Sequence, residues 1–394
     1  MSLSMSVLIV IALSIVGYVL APRRALRLVG GDRRKLASLP KQYGLSAGLS
    51  VFLPAMLIAL LGGIGGVAGS VLPVIIVAVA IGACCLAILK SRPDFIARNS
   101  AETLIKAVLI AASGVAILTT IGIVMSLVFE TANFFRDYSW TDFFFSTTWS
   151  PNFRGDSALG ILPLLWGTLY ISFIALAFAV PIGLFAAIYL SEYASPRMRS
   201  VAKPAIEILA GIPTIVYGLF ALVTVGPFLR DYFAAPMGLG QSASSVMTAG
   251  LVMGVMLIPF VSSLSDDIIN AVPQAMRDGS FGLGATKSET IRQVVIPAAL
   301  PGIVGAVLLA ASRAIGETMI VVLGAGAAAS MSLNPFEAMT TVTVKIVSQL
   351  TGDTDFASPE TLVAFALALT LFVITLGLNV VALLIVRKYR EQYE

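Results

Sequence analysis

Residues 271–301 read AVPQAMRDGSFGLGATKSETIRQVVIPAALP. The stretch is too polar to cross a bilayer and too patterned to be a slack connection. Pro273 and Pro297 bracket it, and Gly282 and Gly284 divide it into two short helical pieces. Asp278 stands near the start of the first piece, where a carboxylate suits the positive end of a helix. The second piece, 287–295, is amphipathic, with Ile291, Val294 and Val295 on one side. A short helix lying along a membrane surface and tied to two crossing helices is a lever. It offers a compact knob to a partner in the water.

The composition around it is that of a membrane. Of 394 residues, 58% are hydrophobic and 12% charged, against about 25% charged in an ordinary soluble domain. A water-soluble globule, a nucleic-acid binder and a disordered scaffold are excluded, and the expected class is all-α and polytopic. There is no histidine, so no His general base, His-ligated metal or haem, or His proton relay can be built. Cys84 and Cys85 are adjacent within an apolar run and read as two small buried residues, with no spaced set for a metal. No cofactor is expected.

A crossing helix needs about 20 predominantly apolar residues. Uncharged runs predict nine, at about 2–21, 45–64, 69–89, 107–129, 160–190, 206–229, 245–264, 298–325 and 361–386. The second and third come from one stretch, 43–89, divided at the glycines 62, 63, 65 and 66. The run at 157–191 exceeds one crossing, so part of it is expected along the interface or in water. With no basic residue before Arg23, the segment 3–20 reads as a retained helix rather than a cleaved leader.

Basic residues test this division. With the N-terminus outside, the inside connections hold Arg23, Arg24, Arg27, Arg33, Arg34, Lys35, Lys41, Lys90, Arg92, Arg98 and Lys106. They continue with Arg197, Arg199, Lys203, Arg277, Lys287, Arg292, Arg387, Lys388 and Arg390. The outside has Arg136, Arg154, Arg230 and Lys345. The asymmetry places the N-terminus outside and the C-terminus in the cytoplasm. Outside connection 130–159 is rich in aromatics, among them Phe134, Phe143, Trp149 and Phe153. It reads as an interfacial belt or as a docking surface for an extracytoplasmic partner.

Two charges fall inside the eighth span, Arg313 and Glu317 in LLAASRAIGETMIVVLG. Charges there cost about 2.5–3.5 kcal/mol each on insertion scales and mark functional positions. Four residues apart, they are expected to share a helix face and pair. Arg313 lies about 24 Å of helix beyond Pro297 at 1.5 Å per residue. The pair either fixes packing, or Arg313 faces a pathway and offers its planar fork to a tetrahedral oxyanion, with Glu317 partly neutralising it. Closer to the cytoplasmic surface, Glu207 is expected to pair with Lys203, and Glu192 to be merely interfacial.

The segment 271–301 resembles the EAA loop of ABC importer permeases, whose pattern is Glu-Ala-Ala, three residues, Gly, nine residues, then Ile-x-Leu-Pro. Here Asp278-Gly279-Ser280, Gly284 and Val294-Val295-Ile296-Pro297 keep the spacing, with the first three positions softened. The resemblance implies that Met276, Arg277, Asp278, Gly279, Ser280, Gly284, Ala285, Thr286, Lys287 and Pro297 dock on an ATPase. That ATPase is another polypeptide, since Gly284-Ala285-Thr286-Lys287-Ser288 lacks the glycine that a phosphate-binding loop needs before its lysine.

Arg313-Ala314-Ile315-Gly316-Glu317-Thr318 resembles the signature of the phosphate-specific permeases, the PstC/PstA family, and Leu209–Gly218 (LAGIPTIVYG) their third core helix. Met319 and the segment Ser38–Gly44 lean towards the PstC side. The resemblance implies a type I importer core of six helices in residues 101–394, preceded by about three extra helices in 1–100. It implies a substrate pathway at Arg313, Glu317, Ser312 and Thr318, and no catalytic residue or metal. It also implies a PstB-like ATPase dimer, a PstA-like second permease chain and a PstS-like phosphate-binding protein as partners, in a bacterial inner membrane. The alternatives are an importer of sulfate or molybdate, or an anion channel, against which the coupling segment argues.

Overall fold

The computed structural model describes residues 3–64, 71–152, 157–352 and 358–390. In chain order the helices are α1 (Leu3–Leu28), α2 (Pro40–Ile64), α3 (Val71–Lys90), α4 (Ala97–Asp137) and α5 (Trp140–Phe145). A two-stranded antiparallel ribbon then pairs β1 (Trp149–Ser150) with β2 (Ala158–Leu159). There follow α6 (Leu162–Ile188), α7 (Pro196–Ala210), α8 (Thr214–Phe220), α9 (Gly226–Leu229), α10 (Val246–Ala271) and α11 (Gln274–Gly282). The chain closes with α12 (Lys287–Thr290), α13 (Ile296–Ile315), α14 (Met319–Gly324), α15 (Val342–Gly352) and α16 (Pro359–Arg390). Wider π turns at Tyr189–Tyr193, Ala221–Val225, Arg230–Ala234 and Ile291–Val295 join several pieces into longer rods.

Among the described residues nine helical runs are long and apolar enough to cross a membrane. They match the nine expected spans, with informative shifts. The sixth starts at Thr214 rather than near 206, because Gly211-Ile212-Pro213 interrupts it and Pro213 holds an extended backbone. The seventh runs on to Ala271, carrying Asp266 and Asp267 as helical residues. The eighth stops at Ile315, ten residues short of the expected end. The fifth continues unbroken from Leu162 through the π turn to Tyr193. Helix α2 runs through Gly62 and Gly63; Gly65 and Gly66, like Phe153 and Arg154, lie outside the described residues.

The chain forms two compact units, Met1–Gly122 and Ile123–Glu394. In the first, α1, α2 and α3 close around Val10, Val51, Ala55, Leu72, Ile76, Ala80 and Cys84. Their outward faces stay apolar and exposed, as lipid requires.

The second unit is organised on α6 and α10. Ala175, Ala179, Gly183 and Ala187 recur every four residues on α6 and are buried. Gly250 and Gly254 on α10 meet α6 so closely that a methyl group at Gly250 would lie 2.6 Å from Ile174. Small residues let helices approach where no hydrophobic effect drives them together. The aromatic connection divides between two roles. Phe134, Phe143 and Trp149 are buried with Leu159, Ile161, Leu164 and Val363, whereas Trp140 and Phe145 are 61% and 69% exposed. The ribbon is fastened by the Tyr138 hydroxyl, which accepts from the Leu159 amide at 2.8 Å.

Candidate functional site: a broken span and a coupling segment

Helix α13 ends at Ile315, and Gly316-Glu317-Thr318 is not helical before α14 begins. Glycine is the cheapest residue at which to leave a helix, and a carboxylate just beyond it can start the next. Glu317 does so: its Oε1 accepts from the amides of Thr318 and Met319, each at 3.1 Å, and from Ile320 at 3.5 Å. The expected Arg313–Glu317 pair is therefore absent. Its premise, one continuous helix, fails at Gly316, and the negative charge is spent on the amides that open α14.

Arg313 sits in the last turn of α13, where a cation suits the helix dipole. It is exposed, takes part in no ion pair among the described residues, and lies over the Phe260 ring at 5.7 Å. Ser312 and Thr318 are half-buried beside it. Thr343, which the sequence reading missed, donates to the Glu317 carbonyl at 2.8 Å and ties α15 to the break. Helix α8 packs on the same break. A methyl group at Gly218 would lie 2.8 Å from the Met319 carbonyl, so only glycine permits this approach. The end of LAGIPTIVYG thus meets the helix that follows RAIGET.

Free backbone and an unpaired charge at membrane depth are tolerated where they line water or another protein, not where they face lipid.

The coupling segment forms as two pieces, with corrections. Helix α11 starts directly after Pro273, so Asp278 is mid-helix and accepts from Gln274 Nε2 at 3.0 Å, one turn back. Gly284, at φ +88°, makes the turn that L side chains resist. Thr286 and Glu289 then cap α12 reciprocally. Pro297 does not break the chain. The run from Lys287 to Ile315 is one continuous rod, because the π turn ahead of Pro297 absorbs its missing donor.

Of the expected docking residues, Asp278, Gly279, Gly284, Thr286, Lys287 and Pro297 are exposed, and Met276, Ser280 and Ala285 half-buried. The knob between the two pieces is apolar: Leu283 is 92% and Phe281 44% exposed. Arg277 points inward. Its guanidinium donates to the Val272 and Ile269 carbonyls at the end of α10, and to Glu192 at 3.1 Å. Glu192 is accordingly the other half of a buried clamp rather than an interfacial bystander. One side chain binds the coupling helix to the ends of both α6 and α10.

A second buried charge was not foreseen. Asp266, 1% exposed, receives Arg199 Nη2 at 2.9 Å on both oxygens, Lys203 at 2.7 Å and Asn270 at 2.9 Å. Lys203 therefore serves Asp266 and Asp267 rather than Glu207, and the hydrogen bond to Asp266 raises its pKa above the ordinary lysine value. Helix α7 has no buried residue of its own; this cluster fastens it to α10.

A family model described as "Binding-protein-dependent transport system inner membrane component" matches residues 179–391, a range that contains α10, the coupling segment and the broken span. The chain belongs to that family. As such a permease it is a transport subunit, and ATP hydrolysis takes place on a separate ATPase subunit. A second model, described as "Phosphate ATP-binding cassette transporter", matches residues 7–78. The permease is 37% identical over 278 residues to "Phosphate transport system permease protein PstC 1" of Mycobacterium tuberculosis, covering 62% of this chain and 81% of that one. It is 32% identical over 290 residues to "Phosphate transport system permease protein PstC" of Pasteurella multocida, covering 68% and 87%. Among solved structures, that of a bacterial ABC transporter involved in the import of the acidic polysaccharide alginate matches with TM-score 0.50 at 15% identity, over 73% of this chain and 98% of that one. That likeness concerns the fold alone.

Proposed function

We propose that this permease is the transmembrane subunit of an ATP-driven importer that moves inorganic phosphate into the cytoplasm. The observation that carries the reading is Arg313, an exposed guanidinium in the last turn of a membrane-length helix, without an ion-pair partner among the described residues. A planar fork of donors matches a tetrahedral oxyanion. Because Glu317 is occupied with backbone amides, the cation keeps its charge for the cargo. The PstC names of the relatives and the phosphate-transporter match over 7–78 support phosphate as that cargo.

The N-terminus is outside and the C-terminus in the cytoplasm. An extracytoplasmic phosphate-binding protein, PstS-like, delivers the anion to the outer mouth. A PstA-like second permease chain covers the exposed side of Arg313 and completes the pathway. ATP-driven closure of a PstB-like dimer presses on the apolar knob at Phe281 and Leu283, and Arg277 hands the motion to α6 and α10. Residues 101–394 make the transporting core; residues 1–100 are added helices.

Labelled-phosphate uptake tests this in cells lacking their own high-affinity system, supplied with the partner subunits and either this chain or its Arg313→Gln variant. Uptake with the natural chain and at least tenfold less with the variant, at equal membrane levels, is expected. Equal uptake demotes Arg313 to a packing role. Uptake of sulfate or molybdate in place of phosphate overturns the cargo.

A further inference from the structure

The basic residues are shared unevenly between the two units. Residues 1–122 hold eleven Lys and Arg against three Asp and Glu, whereas residues 123–394 hold fourteen against eighteen. In the first unit these cations converge. The Pro93 carbonyl accepts from the Ala37 amide and from the Tyr43 hydroxyl, both at 2.9 Å, so the α1–α2 and α3–α4 connections are sewn together. Arg98 adds a bond from its amide to Ser38 Oγ. Beneath lies a small core of Ala25, Tyr43 and Ala97, flanked by Leu36 and Phe95.

On this plate Arg33, Arg34, Lys35, Lys41 and Arg92 are exposed and, among the described residues, enter no ion pair; the unit's ion pair there is Arg98–Glu102. Of the two acids on these connections, Asp32 spends its carboxylate on the Arg34 amide, and Asp94, exposed beside Pro93, enters no ion pair among the described residues, so two carboxylates stand against five exposed cations. The plate lies at the ends of four helices of membrane length or their extensions, and apolar side chains stand among the cations. Leu28 is 57% exposed, Leu39 68%, Leu89 54% and Ile96 53%. A free anion has no use for that apolar surround; an amphiphile with a phosphodiester head and acyl chains does.

We propose that this end of the first unit is a binding surface for anionic phospholipid. It grips headgroups of the leaflet it faces, the cytoplasmic one in the orientation proposed above. Arg33, Arg34, Lys35 and Arg92 supply the charge, and Leu28, Leu39, Leu89 and Ile96 meet the chains.

The test follows the thermal unfolding of the full chain in neutral detergent with added phosphatidylglycerol, phosphatidylcholine or inorganic phosphate. Phosphatidylglycerol is expected to raise the unfolding temperature and the other two to leave it unchanged. A variant combining Arg33→Gln, Arg34→Gln, Lys35→Gln and Arg92→Gln is expected to unfold normally in phosphatidylcholine. Its apparent affinity for phosphatidylglycerol is expected to fall on the order of tenfold or more. If the variant proves unstable in itself, salt decides with the natural chain, whose response should shrink between about 0.05 and about 0.5 M. A response equal for both lipids, retained by a stable variant, or unmoved by salt overturns the proposal. A response reproduced by inorganic phosphate makes the plate a free-anion site and overturns the lipid reading.

Discussion

The two units treat the same residue types in opposite ways. In the first, cations at the helix ends are displayed: Arg33, Arg34, Lys35 and Arg92 face outward without carboxylate partners among the described residues. In the second, several are fastened inward. Arg277 closes on Glu192 and two carbonyls, Arg199 and Lys203 close on Asp266, and Lys287 lies over the Tyr193 ring at 5.2 Å. What differs is how many acids are at hand: three Asp and Glu in residues 1–122 against eighteen in residues 123–394. A displayed cation acts on what lies outside the chain. A buried pair makes neighbouring helices move as one body, because separating it strands a charge away from water.

That contrast can be broken by removing one fastened cation. Arg277→Gln leaves Glu192 partly buried without its partner and two helix-end carbonyls uncapped. We expect a loss of about 3 kcal/mol in stability, read as thermal unfolding, together with ATP hydrolysis no longer matched to uptake. Unchanged coupling would show that the coupling helix transmits through its apolar contacts instead. Asp266→Asn should do less, about 2 kcal/mol, since Arg199 and Lys203 are about one-third exposed and can turn to water. The expected signature is a freed α7, seen as faster proteolysis or amide exchange over 196–210. The smallest effect sharpens the other side. Arg34→Gln should change stability by less than about 0.5 kcal/mol and leave phosphate uptake intact, checked by the same unfolding and uptake measurements.

The spans were legible because apolar run length is a one-dimensional property, and the coupling segment because glycines and prolines punctuate locally. The pairing of charges was not, because it depends on which helix ends meet. Lys203 and Glu207 stand four residues apart, yet Lys203 turns to Asp266, 63 residues away in sequence. Arg277 and Glu192 are 85 residues apart, a distance no spacing rule crosses. The break after Ile315 did leave a trace. Gly316 followed by Glu317 and Thr318 carries a helix stop and a helix start in succession; reading the run by hydropathy alone passed over it.

The π turn at Ile291–Val295 holds one residue more than an α-turn would need. Every side chain beyond it is therefore rotated by about 100° from where an unbroken α-helix starting at Lys287 would set it. The facing of Arg313, some eighteen residues further along the same rod, is thus a matter of counting: shortening the chain by one residue at this turn would swing the guanidinium around the rod axis with its composition untouched. The angular setting of Arg313 is stored in the length of the helix that leads to it.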